Sequence, residues 1–118
     1  GAFTTILNAR SETAAEKPSF RGALRHRRCL VPATGFYEWT GEPGAKRPHH
    51  FRPRTGGLMA LAGLAEHWVG ADGSELETMA ILTTSANATM APYHDRMPVI
   101  IPPEHFDIWL DCSSGSAK

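Results

Sequence analysis

Thr34-Gly35-Phe36-Tyr37-Glu38-Trp39 sets one carboxylate inside an aromatic run that begins at a glycine. Phe, Tyr and Trp favour a pleated, half-buried surface, so the run reads as a strand. A glutamate there is held partly out of water, which disfavours its charged form and suits it to general acid–base chemistry. On this stretch alone a purely structural placement is favoured over the catalytic one, with Glu38 facing solvent and the aromatics packed beneath it.

Moving toward the N-terminus, Arg28-Cys29-Leu30-Val31 reads as a strand stopped by Pro32. Pro18 to Leu24 reads as a short helix, with proline in its first turn and Phe20 and Leu24 four apart on one face. Arg21, Arg25, Arg27 and Arg28 gather at its end, where cations offset the helix dipole. Thr4 to Leu7 is a short β-prone run. It leads into the polar segment Asn8-Ala9-Arg10-Ser11-Glu12-Thr13, read as irregular because Asn and Ser favour local backbone hydrogen bonds.

Toward the C-terminus, Gly41-Glu42-Pro43-Gly44 is a turn and Pro48 to Arg52 the returning strand of a hairpin. Leu58 to Val69, apolar with small residues, suits a buried strand that approaches other backbone closely. Thr78 to Thr84 and Met97 to Ile101 are two more strands. Pro102 to Leu110 opens a helix on proline, and Ser113 to Lys118 reads as a frayed end. Strands follow one another and outnumber helices. The expected fold is therefore α+β, a curled, mostly antiparallel and barrel-like sheet with a few flanking helices, in a single domain over residues 1–118.

The chain has 118 residues, 42% of them hydrophobic and 20% charged, the balance of a globular chain with one core. It has no apolar run of about eighteen residues, so no membrane-spanning segment is expected. Gly1-Ala2-Phe3 shows neither an initiator methionine nor a basic-then-apolar leader, which points to a processed chain, a tag scar or an excised piece. Cys29 and Cys112 lie far apart and form no metal-type pair. Net charge is zero, yet residues 1–54 carry ten Lys/Arg against four Asp/Glu and residues 55–118 carry two against eight. Either the basic half offers a surface to a polyanion, or the halves interleave and neutralise one another.

A second polar cluster, Tyr93-His94-Asp95-Arg96-Met97-Pro98, falls in a connection between two strands, where working side chains tend to sit. Imidazole passes protons near neutral pH, and a guanidinium presents fixed donors to phosphate oxygens. The structural alternative pairs Asp95 with Arg96 and leaves His94 exposed. A metal site is not expected: His49 and His50 are adjacent on a strand and face opposite ways, and no H-E-x-x-H or C-x-x-C spacing occurs. No cofactor-binding loop of the G-x-G-x-x-G or P-loop kind is present either.

Asn8-Ala9-Arg10-Ser11-Glu12-Thr13, Gly35-Phe36-Tyr37-Glu38-Trp39 and His94-Asp95-Arg96-Met97-Pro98 resemble, in order and spacing, the motifs of the SRAP domain family, the SOS-response-associated peptidases. The resemblance covers nearly the whole chain. It implies a protein that binds abasic sites in single-stranded DNA and crosslinks to them as a thiazolidine, with lyase chemistry or self-processing peptidase activity as further readings. A non-catalytic single-strand-binding module is another. Residue by residue it implies that Asn8 orients the opened sugar or the attacking amine, that Glu38 shuttles protons, and that His94 assists ring opening. Arg10 and Arg96 would grip the flanking phosphates, and Trp39 would line the cleft.

By the same resemblance the attacking group is an N-terminal cysteine followed by Gly-Arg, ahead of the Asn-Ala-Arg motif. This sequence starts at Gly1, and Cys29 sits in an expected core strand without a free α-amine. The expectation is a fragment carrying assisting residues without the nucleophile, whose exposed sheet edges favour self-association or a partner segment. No cofactor is implied. A cytoplasmic location is implied, nucleoid-associated in a bacterium.

Overall fold

The computed structural model describes residues 5–112. The central strand is β6 (Glu75–Ser85). One of its edges pairs in parallel with β1 (Thr5–Arg10), from Thr5 opposite Thr78 to Arg10 opposite Thr83. Its other edge is shared between two partners. Glu75 to Ile81 pair antiparallel with β5 (Met59–Val69), while Thr83 to Ser85 pair antiparallel with β7 (Arg96–Pro98). On its far edge β5 pairs with β2 (Arg28–Ala33), which brings Cys29 opposite Gly63.

Between Gly63 and its N-terminal end β5 diverges from β6, and the chain after β7 fills the fork. The Val99 N–H donates to the Leu82 carbonyl at 2.8 Å, while the Ala62 N–H donates to the Val99 carbonyl at 2.9 Å and the Ile101 N–H to the Ala60 carbonyl at 2.8 Å. Backbone polar groups of both diverging strands, the carbonyls of Leu82 and Ala60 and the N–H of Ala62, are thereby satisfied, as buried peptide groups require. Gly63 sits where the β2 side chains crowd in: a Cβ there would lie 2.9 Å from Cys29 Sγ and 2.9 Å from Val31 Cγ2.

The strand order β1-β6-β5-β2 is open, and the barrel closure expected from the sequence is absent among the described residues. Closure would need the outer edges of β1 and β2 to meet, and they bound opposite sides of the sheet. Instead β3 (Phe36–Thr40) and β4 (Arg47–Phe51) form a separate two-stranded sheet, with Phe36 opposite Phe51 and Glu38 opposite His49. Four of the five strand pairings are antiparallel and one, β1 with β6, is parallel.

Three local readings change. The strand expected to end at Leu7 runs on through Asn8-Ala9-Arg10, because β6 supplies a continuous ladder and Ala9 is buried in the core. β2 passes through Pro32, which an outer strand tolerates because one of its edges lacks a partner. The first helix, α1 (Arg21–His26), is shorter than expected, and Pro18 to Phe20 form turns before it. The last helix begins as a 3-10 turn (Pro103–His105) and continues as α2 (Phe106–Leu110). Gly1 to Thr4 and Ser113 to Lys118, including the expected frayed end, lie outside the described residues.

The core is built largely from small side chains: Ala9, Ala14, Ala23, Ala62 and Ala80 pack with Leu24, Leu64, Leu82 and Trp109. Arg28 is buried among them. Its Nε donates to the Trp109 carbonyl at 2.6 Å and one terminal nitrogen to the Leu24 carbonyl at 2.8 Å, and its guanidinium carbon lies 5.4 Å from the Trp109 ring centroid. Within the arginine cluster the sequence placed at the end of α1, Arg28 thus satisfies C-terminal carbonyls of both helices. Trp109 returns a hydrogen bond from its ring N–H to the Cys29 carbonyl at 2.7 Å.

Candidate functional site

β1 alternates, so burying Ala9 turns Asn8 and Arg10 together to the opposite, exposed face. Facing them is the loop between β6 and β7. That loop is closed by the Ala86 N–H donating to the Asp95 carbonyl at 3.0 Å, and the buried Met90 and the Asn87 side chain, which accepts from the Met90 N–H at 3.0 Å, anchor it. It ends at His94 and delivers Arg96 into β7. From the third side comes the hairpin. On β3 the same alternation puts Phe36, Glu38 and Thr40 on the half-buried face and leaves Tyr37 and Trp39 exposed.

These elements enclose a cleft of about 450 Å³ whose polar lining includes Asn8, Arg10, Glu38, Thr83, His94 and Arg96, with Leu61, Ile81 and Met97 among its apolar walls. Five of the six residues singled out from the sequence therefore face one cavity. Trp39, 52% exposed beside Glu38, is not among those lining residues, although Tyr37 on the same face of β3 is.

His94 Nε2 lies 3.9 Å from Glu38 Oε1, with side chains 43% and 22% exposed. That separation is too long for a direct hydrogen bond and short enough for one water or a substrate hydroxyl to bridge. His94 Nδ1 lies 3.0 Å from the Arg96 backbone nitrogen, whose N–H can only donate. With the neutral ring's proton on Nε2, Nδ1 accepts from that N–H. The same Nδ1 lies 3.2 Å from the Arg96 carbonyl oxygen and 3.4 Å from Asp95 Oδ1, acceptors for it when Nδ1 carries a proton. The imidazole has partners in either state, which suits a group that takes and returns a proton.

The hairpin approaches this loop through rings. Tyr93, beside His94, meets His49 at 4.8 Å and Phe51 edge-on at 5.2 Å. The same open end of the hairpin depends on Gly35, where a Cβ would collide with the Phe51 carbonyl oxygen and lie 2.5 Å from His50 Nε2. The glycine that opens the aromatic run is there because β4 passes directly over it.

Arg96 departs from the structural alternative read from the sequence. Its partner is not Asp95, which is 91% exposed, but Glu12, in the turns after β1. The fork is bidentate, Nη1 to Oε2 and Nη2 to Oε1 each at 2.8 Å, and Nη2 also donates to the Thr83 carbonyl at 2.9 Å. These hydrogen bonds and the charge of Arg96 hold the Glu12 carboxyl down at about 2. The sequence reading quoted Glu12 without giving it a role, and no local signal reveals it, since its partner lies 84 positions away.

Neither cysteine lines the cleft. Burial pushes the Cys29 thiol above its ordinary range, against nucleophilic use. His49 is hydrogen-bonded to the Thr40 hydroxyl at 2.9 Å and His50 lies against the Tyr37 ring at 4.7 Å. Among the described residues no three or more His, Cys, Asp or Glu are placed to hold a metal. Among the described residues no helix is long and apolar enough to cross a membrane. The two charge halves interleave in part, through Arg27 with Glu66 and Arg96 with Glu12, while Arg47, Arg52 and Arg54 remain exposed on and after β4.

The family described as SOS response associated peptidase (SRAP) matches residues 2–118. Abasic site processing protein YoqW of Bacillus subtilis is 45% identical over 107 residues, which cover 90% of this chain and 48% of the relative. Abasic site processing protein HMCES of Xenopus tropicalis is 32% identical, covering 94% of this chain and 39% of the relative. A crystal structure of a Bacteroides thetaiotaomicron protein superimposes with a TM-score of 0.83 at 36% identity, over 90% of this chain and 47% of that one. The chain thus spans about half the length of the YoqW relative it matches. On the family match, the identity and the shared fold, this chain belongs to the SRAP family.

Proposed function

We propose that this chain supplies the binding and proton-transfer half of an abasic-site processing domain. Its substrate is single-stranded DNA carrying an abasic site, held with the opened sugar in the cleft among Asn8, Glu38 and His94. The observation that carries this reading is the approach of His94 Nε2 to within 3.9 Å of Glu38 Oε1 beside Asn8 and Arg10, in a family whose relatives are named for abasic-site processing.

The chemistry such a site serves is capture of the sugar aldehyde. An α-amine adds to the aldehyde carbon, the resulting hydroxyl leaves as water, and a thiol on the same carbon frame closes on that carbon to give a thiazolidine. The amine must lose protons and the departing hydroxyl must gain one. A carboxylate facing an imidazole supplies both directions. Asn8 offers an amide to orient the aldehyde oxygen or the amine, and Arg10 an exposed guanidinium for a flanking phosphate. The attacking amine and thiol would come from a cysteine that is not among the residues lining this cleft.

The test uses single-stranded oligonucleotides with and without one abasic site. The chain is expected to prefer the abasic strand. A full-length form with its N-terminal cysteine is expected to retain that strand through denaturing electrophoresis, with Glu38→Gln and His94→Ala each lowering the rate by roughly 10²–10⁴-fold. Equal affinity for both strands and no retained adduct would sink the proposal. A second reading, a non-covalent single-strand-binding module, is favoured by the cleft's having no cysteine among its lining residues. It predicts salt-sensitive binding that survives both substitutions.

A further inference from the structure

We infer that Glu12 is a built-in competitor for the phosphate that Arg96 would otherwise hold, and that it weakens the grip of the cleft on undamaged strands. This rests on the proposed DNA-binding reading of the same cleft.

A guanidinium offers one planar fork of parallel N–H donors, and carboxylate and phosphate compete for it because both present two oxygens at matching spacing. In this structure the fork is taken. Glu12 accepts from both terminal nitrogens at 2.8 Å, and Thr83 adds its carbonyl at 2.9 Å and its hydroxyl at 3.2 Å. The Arg96 side chain is 15% exposed, and its Nε is buried without an acceptor among the described residues. A strand phosphate must therefore displace Glu12 or share Arg96 with a full negative charge. The Glu12 side chain is itself 43% exposed and hangs on a turn, so displacement needs no change in the sheet. Thr83 also accepts the Ser11 N–H at 2.8 Å and lies opposite Arg10 in the ladder, so the competitor is fixed to the strand that presents Asn8 and Arg10.

Phosphate contacts hold any strand, whatever its bases, and supply most non-specific affinity. A carboxylate seated on one of the two cleft arginines subtracts from that affinity for damaged and undamaged strands alike. Retention then depends on the chemistry at the abasic sugar and not on charge. Such a repulsive element is one route to specificity.

The experiment compares wild type with Glu12→Gln, which keeps size and one acceptor while removing the charge. Affinity for an undamaged oligothymidine is expected to rise roughly tenfold at low salt, the worth of a charged hydrogen bond. The salt slope should steepen by about 0.7, one single-strand phosphate contact. Arg96→Gln added to Glu12→Gln is expected to cancel the gain, while Glu12→Asp keeps the wild-type slope. Weaker or unchanged binding by Glu12→Gln, with its circular dichroism intact, would overturn the inference. If the wild-type chain binds no oligonucleotide, the proposed function fails and inorganic phosphate becomes the probe. The chemical shift of the Arg96 Nε–H should then respond to phosphate at lower concentration in Glu12→Gln than in wild type, and equal responses would overturn the inference by that route.

Discussion

The wall of the cleft that carries Asn8, Arg10 and Arg96 belongs to a five-stranded sheet over a buried core, whereas the wall that carries Glu38 belongs to a two-stranded hairpin with Tyr37 and Trp39 exposed. A hairpin alone is marginal in water, while a sheet with a packed face holds its own geometry. The acid is thus mounted on the weaker part and Asn8 and the arginines on the stronger, with His94 on the loop that leads into β7. What keeps them in register is a small set of contacts at the seam: Gly35 under the Phe51 carbonyl, and Tyr93 against His49 and Phe51. Site geometry and global stability should therefore respond to different substitutions.

The largest effect is expected in the sheet. Arg28→Ala strips the Leu24 and Trp109 carbonyls of a buried donor and removes the packing against the Trp109 ring. Unfolding by urea should show a loss of roughly 2–4 kcal/mol, since each orphaned buried polar group costs about 1–3 kcal/mol. A loss below about 1 kcal/mol would mean that water replaces the guanidinium freely, and the contrast between the two walls would weaken.

Gly35→Ala should act on the other wall. The added methyl meets a backbone oxygen that cannot rotate aside, so β4 must shift, at about 1–3 kcal/mol of overpacking. Hydrogen exchange should speed up in β3 and β4 and stay unchanged in β5 and β6, and binding of an abasic strand should fall with the displaced Glu38. Equal acceleration in both sheets would show that the hairpin is not a separate unit.

The smallest effect concerns acid. Glu12 is held at about 2, below its ordinary 4.5, chiefly by its hydrogen bonds to Arg96. A depressed carboxyl stabilises the folded state above its unfolded value, and that contribution disappears as pH falls from about 4.5 toward 2. The wild-type melting temperature should drop across this window more steeply than that of Glu12→Gln. Parallel curves would show that the pair adds nothing to the fold in solution.

Much of this molecule is readable from the residues. The alternation around Glu38, the turn glycines, the proline-opened last helix and the loop placing His94 before a strand all follow from local pattern. The parallel partner of β1 does not, because it lies some seventy positions on and a ladder leaves no mark on an edge strand's own sequence. Nor does the sharing of roles among the arginines: Arg27 and Arg28 are neighbours of one type, yet one pairs with Glu66 at the surface and the other is sealed against Trp109. The pairing of Glu12 with Arg96 is invisible too, since the two lie 84 positions apart.

The seam formed by Val99 to Ile101 between β5 and β6 also acts as a ruler. It starts five residues beyond the imidazole and is locked on both sides, so the distance along the chain from seam to His94 is fixed by counting peptides. Deleting a single residue from that span cannot be absorbed by sliding, because a slip of one would turn every side chain of β7 to the wrong face.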